Sequence, residues 1–374
     1  MTFYKTMVAT AAAAFLAASL PASAEDRVTL STWTSPKHAT SRAHIAYAEL
    51  TEKQFPDAFD FKYFSGGALL GAKPTLSGLR DGVASMGLLA FTYFPAELPY
   101  AQLVADMALL GDNHFVMAAA STEFAMMNCE PCKAEFEDAG IVLLTGISTA
   151  PYVLLTSDPI TSVEDMKGVK IRTAGSAWDR WATHVGASPV NVPSSEMYDA
   201  LSHGIVTAAI QPIGALKGHS LLEVTKHLTK LPLGTYHSGA IFAASPAFWN
   251  GLSAEERSQV MANMPQAFAI AERNYYDDDQ TVLVESSALG LTVHEPDPAF
   301  LADMVSFRTN DLEEVAKIAK TKHGIENPEP LIEKYLELVN KWTALLEPIG
   351  YDTDAYAKLL EQEIYSKIDF ANYP

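Results

Sequence analysis

Along the chain, the spacing of apolar positions switches between the two-residue period of strands and the 3.6-residue period of helices. Val28 to Trp33 alternates as a strand, and Pro36 to Lys53 places Ala43, Ala46, Tyr47 and Leu50 at helical spacing. Phe59 to Phe64 predicts a second strand, Lys73 to Asp81 a helix stopped by Gly82, and Val83 to Leu89 a short buried strand. That order implies right-handed crossovers in a parallel sheet. Asn113 to Asn128 predicts a helix after a mixed stretch, and Ile141 to Gly146 and Tyr152 to Thr156 predict strands.

The rhythm then recurs. Strands are predicted at Val169 to Arg172, Ser188 to Val192 and Ala208 to Gln211, with helices at Ala177 to Val185 and Ser194 to His203 between them. Thr235 to Ala244 predicts a long apolar strand. Ser253 to Val284 predicts one long helix opened by a Ser253/Glu256 capping box. Three more helices follow: Phe300 to His323, Pro328 to Leu346 and Asp354 to Lys367. The fold class is α/β with two lobes and a long C-terminal helical region. No Pro- or Gly-rich linker separates the halves, so strand exchange between them is expected. The predicted boundaries are 25–150 for lobe I, completed by about 237–285, and 151–236 for lobe II, completed by about 286–374. A cleft between such lobes, at strand carboxyl ends, suits a small ligand.

Composition adds an address and a constraint. Lys5, the apolar run Met7 to Leu20, Pro21 and Ala22-Ser23-Ala24 have the layout of a cleaved export signal over residues 1–24, which places the mature chain in the periplasm. The formal charge of the whole chain is −19, which disfavours nucleic acid and anionic lipid as partners. An anionic ligand therefore needs a local cation. The two cysteines, Cys129 and Cys132, are expected to act as a structural staple in an oxidising compartment. The helix predicted to end there, rather than begin there, argues against a thioredoxin-like motif. Nucleotide-binding, zinc-protease and serine-hydrolase motifs are absent from the sequence, and neither a metal nor a cofactor is expected.

Several segments resemble one family. Tyr63 to Gly71 reads Y-F-S-G-G-A-L-L-G and Leu79 to Ala84 reads L-R-D-G-V-A. Pro159 to Arg172 reads P-I-T-S-V-E-D-M-K-G-V-K-I-R. Gly186 to Val190 reads G-A-S-P-V, and Pro193 to Gly204 reads P-S-S-E-M-Y-D-A-L-S-H-G. Thr225 to Leu228 (T-K-H-L) and Phe248 to Arg257 follow in order. Together they are similar to the DctP-type solute-binding proteins of tripartite ATP-independent periplasmic (TRAP) transporters. The resemblance implies a two-lobed receptor, not an enzyme, that closes on a small organic carboxylate and delivers it to TRAP membrane permease subunits. It also implies that Arg172 pairs with the ligand carboxylate through two parallel hydrogen bonds.

Departures from the family pattern bear on the ligand. No Lys or Arg lies between Lys133 and Lys167, where a second basic residue is expected, and this weakens the case for a dicarboxylate. Gln211 stands where the pattern has Asn. Four further candidate ligand contacts follow strands, Trp33, Phe91, Tyr93 and Trp178, whose rings suit an aromatic or a cationic body; two more, Tyr236 and His237, begin the later strand and could hydrogen-bond the ligand. His38 opens the first long helix, at the cleft rim or as its cap. Asp277-Asp278-Asp279 is expected on a solvated helix face, and Glu196 as a structural partner near the cleft. The rival functions are a secreted enzyme acting on an organic acid and a thiol–disulfide oxidoreductase.

Overall fold

The computed structural model describes residues 26–374, so the export signal lies outside the described residues. Eleven strands form among them: β1 (Asp26–Ser31), β2 (Phe59–Phe64), β3 (Met86–Ala90), β4 (Val142–Thr145), β5 (Tyr152–Thr156), β6 (Lys170–Thr173), β7 (Ser188–Asn191), β8 (Ala208–Pro212), β9 (His227–Thr229), β10 (Gly239–Ala244) and β11 (Thr292–His294). They build two mixed sheets, β2-β1-β3-β10-β4 and β11-β9-β5-β8-β6-β7. As the crossover rule requires, β1 pairs parallel with β2 and β3, and β6 parallel with β7 and β8. β10 runs antiparallel between β3 and β4, so it returns to the first sheet after the second has been laid down. This is the expected two-lobed α/β fold with strand exchange.

Four segments join the lobes among the described residues, the last being the return from β11 through the helix Pro298–Thr321 to the helix Glu329–Leu346. The connections β4–β5 and β9–β10 run side by side: Thr149 N–H donates to the Tyr236 carbonyl at 2.8 Å, and Tyr152 N–H to the Gly234 carbonyl at 2.7 Å. Gly234 has φ of +71°, and a Cβ there would lie 2.1 Å from the Ala108 carbonyl oxygen, so only glycine fits this crossing. The third is the helix Met264–Glu285, about 33 Å long at 1.5 Å per residue. It packs on the helix Ala39–Gln54 in the first lobe. Near its other end Asp279 accepts the Gly214 N–H, just after β8, at 2.6 Å.

Several expectations need correction. The segment Ser253 to Val284 is two helices, Ala254–Ala262 and Met264–Glu285, because Pro265 cannot continue the first. The strand begins at Gly239, not Thr235, since Thr235 to Ser238 form the interlobe crossing. The stretch 286–374 does not complete the second lobe as a block; of it, β11 joins the second sheet. The helices Glu329–Leu346 and Thr353–Glu363 pack on the first. Trp342 Nε1 donates to Glu123 at 2.7 Å, the Tyr356 hydroxyl to the Phe115 carbonyl at 2.7 Å, and the Tyr373 hydroxyl to the Leu143 carbonyl of β4 at 3.0 Å. A helix, Glu130–Ala139, does start at Cys129, contrary to the expectation. Cys129 and Cys132 form a disulfide and both are buried, which withholds them from thiol exchange.

A buried acid marks the hinge. Glu272, in the middle of the spanning helix, accepts the Ser148 N–H on the β4–β5 crossing at 3.1 Å, while its Oε2 has no partner. Burial holds its carboxyl well above 4.5. A raised folded-state pKa contributes stability that is complete below the unfolded value near 4.5 and is lost as pH climbs through the folded value. Glu272→Gln has no proton to lose. It should melt above wild type at pH 8 by on the order of 2–5 °C, with the gap closing toward pH 4.5 in thermal denaturation.

Candidate functional site

The strand β6 has the burial pattern of a strand entering the core, with Lys170 exposed and Ile171, Arg172 and Thr173 buried. Arg172 is 0% exposed, at the carboxyl end of a strand flanked on both sides by parallel partners. Its Nε donates to the Val192 carbonyl just after β7, at 3.0 Å, and this bond fixes the plane of the guanidinium. Nη1 has no hydrogen-bond partner, and among the described residues Arg172 forms no ion pair. A buried charge without a carboxylate beside it costs several kcal/mol. The ordinary structural account of a buried arginine, a salt bridge, is therefore not met here.

The guanidinium faces a cavity of about 70 Å³ between the lobes. One water needs roughly 10–15 Å³ of such space, so the cavity is sized for a larger molecule. Leu88, Leu89 and Ile147 supply apolar wall, and Tyr152 and Tyr236 supply rings. The lobes meet around it: Ser194 N–H donates to the Tyr93 hydroxyl at 3.0 Å, Lys73 pairs with Glu196 at 3.1 Å, and the Ser35 hydroxyl donates to the Gly218 carbonyl at 3.1 Å.

Six of the nine candidate residues line this cavity: Arg172, Gln211, Trp33, Tyr93, Tyr236 and His38. The two readings of His38 hold together. Its Nδ1 accepts the Thr40 N–H at 3.3 Å and caps the helix Ala39–Gln54, while its ring lies 5.0 Å from that of His219 across the interlobe gap. Tyr236 offers its ring and not its hydroxyl, which is held by the Ser238 carbonyl and by Thr92. Gln211 is 4% exposed, and its amide makes no hydrogen bond among the described residues.

Phe91, Trp178 and His237 do not line the cavity. Phe91 turns into the first-lobe core against Phe136, with ring centroids 5.2 Å apart. Trp178 is 0% exposed, donates from Nε1 to the Leu233 carbonyl at 2.8 Å, and stacks behind the wall ring of Tyr152 at 4.8 Å. His237, next to Tyr236 on the extended interlobe crossing, points the opposite way and stacks on Tyr335 at 5.7 Å. Of the acidic triplet only Asp277 lies on a solvated face. Asp279 is buried on Gly214, and Asp278 lines the cavity while accepting from Arg42 Nη2 at 3.0 Å.

Sequence reasoning missed Tyr152, His219 and Tyr275. Tyr152 begins β5, in the region where the second basic residue was sought, so an uncharged phenol occupies that wall. Burial holds its hydroxyl protonated, although nearby Arg172 favours the phenolate. His219 is pushed down to about 4 by burial and then by Arg172, and His38 is lowered by burial, His219 and Arg42. At neutral pH both rings are uncharged. The available chemistry is one uncompensated cation in a partly aromatic chamber whose other charged lining group, Asp278, is paired with Arg42. Among the lining residues the Thr40 hydroxyl lies 2.9 Å from His38 Nδ1, but that nitrogen also accepts the Thr40 N–H as the cap of the helix Ala39–Gln54.

Comparisons with known proteins agree with this architecture. The family described as bacterial extracellular solute-binding protein, family 7 (DctP), matches residues 30–318. The chain is 28% identical over 190 residues to a solute-binding protein of Albidiferax ferrireducens, a match taking in 51% of this chain and 55% of that relative's length. It is 25% identical over 295 residues to the C4-dicarboxylate-binding periplasmic protein DctP of Rhodobacter capsulatus, covering 75% of this chain and 84% of that one. A TRAP solute-binding protein of Rhodoferax ferrireducens, solved with copurified benzoate, superposes with a TM-score of 0.76 at 18% identity, covering 85% of this chain and 99% of the other. At that identity the likeness shows the fold.

The inward turn of Phe91 makes a direct check. Phe91→Leu should lower the melting temperature, for a loss of about 1 kcal/mol of packing, yet leave the Kd of any bound organic acid within about two-fold by calorimetry. A ten-fold loss of affinity would put the ring back in the ligand site.

Proposed function

The chain belongs to the bacterial extracellular solute-binding proteins of family 7, and on that premise we propose that it is the periplasmic receptor of a TRAP transporter for a small organic carboxylate. The observation that carries the reading is Arg172: buried, oriented from behind by Val192, with Nη1 unpartnered and no acid in reach. A ligand carboxylate accepting from both terminal nitrogens supplies the missing counter-ion and the missing acceptor together. Arg172 belongs to the second sheet, whereas Trp33 and Tyr93 follow strands of the first. A ligand held between them favours the closed arrangement by the difference in its affinity for closed and open lobes.

Delivery to membrane permease subunits, location in the periplasm and the lack of turnover are part of the same proposal. They are supported by family membership, and the one hydroxyl–imidazole pair on the wall, Thr40 with His38, is taken up in capping a helix. The enzyme alternative lacks a comparable observation. The oxidoreductase alternative is opposed by the burial of both cysteines.

The test is Arg172→Ala against the organic acid that gives wild type its largest thermal shift. Removing one member of a buried charged pair costs about 3–5 kcal/mol, so Kd should rise at least ~100-fold. The ligand-free variant should melt at or above the wild-type temperature, because the substitution deletes an uncompensated buried cation. Unchanged affinity would refute the assignment, and a large drop in ligand-free stability would make Arg172 a structural residue.

A further inference from the structure

We propose that the cavity selects a monocarboxylate whose body carries one uncharged hydrogen-bond acceptor, and that Trp33 is the first-lobe residue that reads this acceptor. The proposal rests on the assignment of Arg172 to the ligand carboxylate.

Charge comes first. Arg172 and Asp278 are the two charged side chains that line the cavity. Asp278 is already engaged by Arg42 at 3.0 Å, and His38 and His219 are held neutral by burial. The chamber therefore has one free positive charge and no free negative one. A second carboxylate on the ligand would be buried without a cation, and an ammonium group without an anion. Either arrangement is disfavoured by enough to remove di-acids and zwitterions as competing ligands.

The second argument is a pair of orphaned donors. Two side-chain nitrogens of lining residues are wholly enclosed without a protein partner, Arg172 Nη1 and Trp33 Nε1; the unpartnered amide of Gln211 lies on the second sheet with Arg172, so Trp33 is the one of these on the first lobe. Trp33 is 7% exposed and follows β1 of the first sheet; Arg172 is the penultimate residue of β6 of the second. An indole N–H donates and never accepts, and a buried donor without an acceptor is strongly unfavourable. A ligand that presents a carboxylate to Arg172 and a hydroxyl, oxo or ring-carbonyl oxygen to Trp33 satisfies both at once. An acid lacking the second oxygen satisfies one and leaves the indole unpaired. Discrimination by an unmet polar group of this kind is larger than discrimination by shape alone. Because the two donors sit on opposite lobes, the same acceptor also couples recognition to closure.

The experiment is calorimetric titration of the full chain with matched probes. Benzoate is compared with its three hydroxybenzoates, phenylacetate with mandelate, isovalerate with 2-oxoisovalerate, and cyclopentanecarboxylate with pyroglutamate. Succinate, fumarate and ectoine represent the excluded classes. Wild type should bind at least one oxygenated monocarboxylate at least ten-fold more tightly than its parent acid. It should bind the di-acids and ectoine at least 100-fold more weakly than that best ligand. Trp33→Phe should reduce the ratio between the oxygenated acid and its parent to within about two-fold; a purely structural role would weaken both and preserve the ratio. The proposal is overturned if the ratio survives in Trp33→Phe, if parents bind as tightly as oxygenated acids, if none of the monocarboxylates binds, or if a di-acid or ectoine binds best. A di-acid whose binding disappears in Arg172→Ala would end this proposal and leave the carboxylate receptor standing. Binding that persists in Arg172→Ala would end both.

Discussion

Water solvates a guanidinium from every side, and a protein that removes that water must replace it with charge or with acceptors. Arg172 receives one acceptor, the Val192 carbonyl on Nε, and no acid within ion-pair distance among the described residues. Chain folding alone therefore leaves the group under-satisfied, and a structure can carry such a deficit only where something else meets it. The rest of the cavity follows from that constraint. The neighbouring histidines are kept uncharged, Tyr152 stays a neutral phenol, and the nearest lining acid is turned toward Arg42. The molecule's overall negative charge opposes an anion at long range, so attraction is concentrated in this one group.

The architecture makes that group useful. Strand exchange puts Arg172 and the aromatic residues after β1 and β3 on different sheets, so anything bound between them bridges the lobes. Two adjacent crossing segments, the long helix Met264–Glu285 and the return through the helix Pro298–Thr321 restrict how the lobes move relative to each other. The constraints lie where motion would concentrate: Gly234 against Ala108, Glu272 on Ser148, and Asp279 on Gly214. A buried network adds another link between lobes. Asp106 of the first lobe pairs with Arg180 of the second at 2.9 Å and with His323 at 2.8 Å, and Arg180 also pairs with Asp311 at 2.6 Å. Interactions of this kind fix geometry more than they add stability.

Much of this was legible in the residues. Alternation and helical spacing located β2 and β5 to the residue and most other elements to within a few positions: β5, covered on both faces, reads as an apolar run, and β2, at a sheet edge, alternates. The family motifs, above all the segment ending at Arg172, identified the central cation. What the chain did not disclose depends on which way a side chain faces at a crossing. Tyr236 and His237 are neighbours, yet one meets the cavity and the other the core, and their residue types do not say which. Trp178 was expected to touch the ligand, yet it lies behind the cavity wall, where it braces Tyr152. The acidic triplet looked solvated because three adjacent acids usually are. Asp278 and Asp279 turn inward at the point where the spanning helix reaches the second lobe, a long-range contact with no local signal. Tyr152 was overlooked because the search in that region was for a basic residue.

The central claim is that Arg172 is left incomplete by the fold so that a ligand carboxylate can complete it. A crystal structure of the ligand-bound protein tests this most directly. The account requires a carboxylate within about 3 Å of both terminal guanidinium nitrogens, with Nε still on the Val192 carbonyl. A bound ligand whose carboxylate lies elsewhere in the chamber, or an Arg172 turned onto an acid of the protein itself, would contradict it.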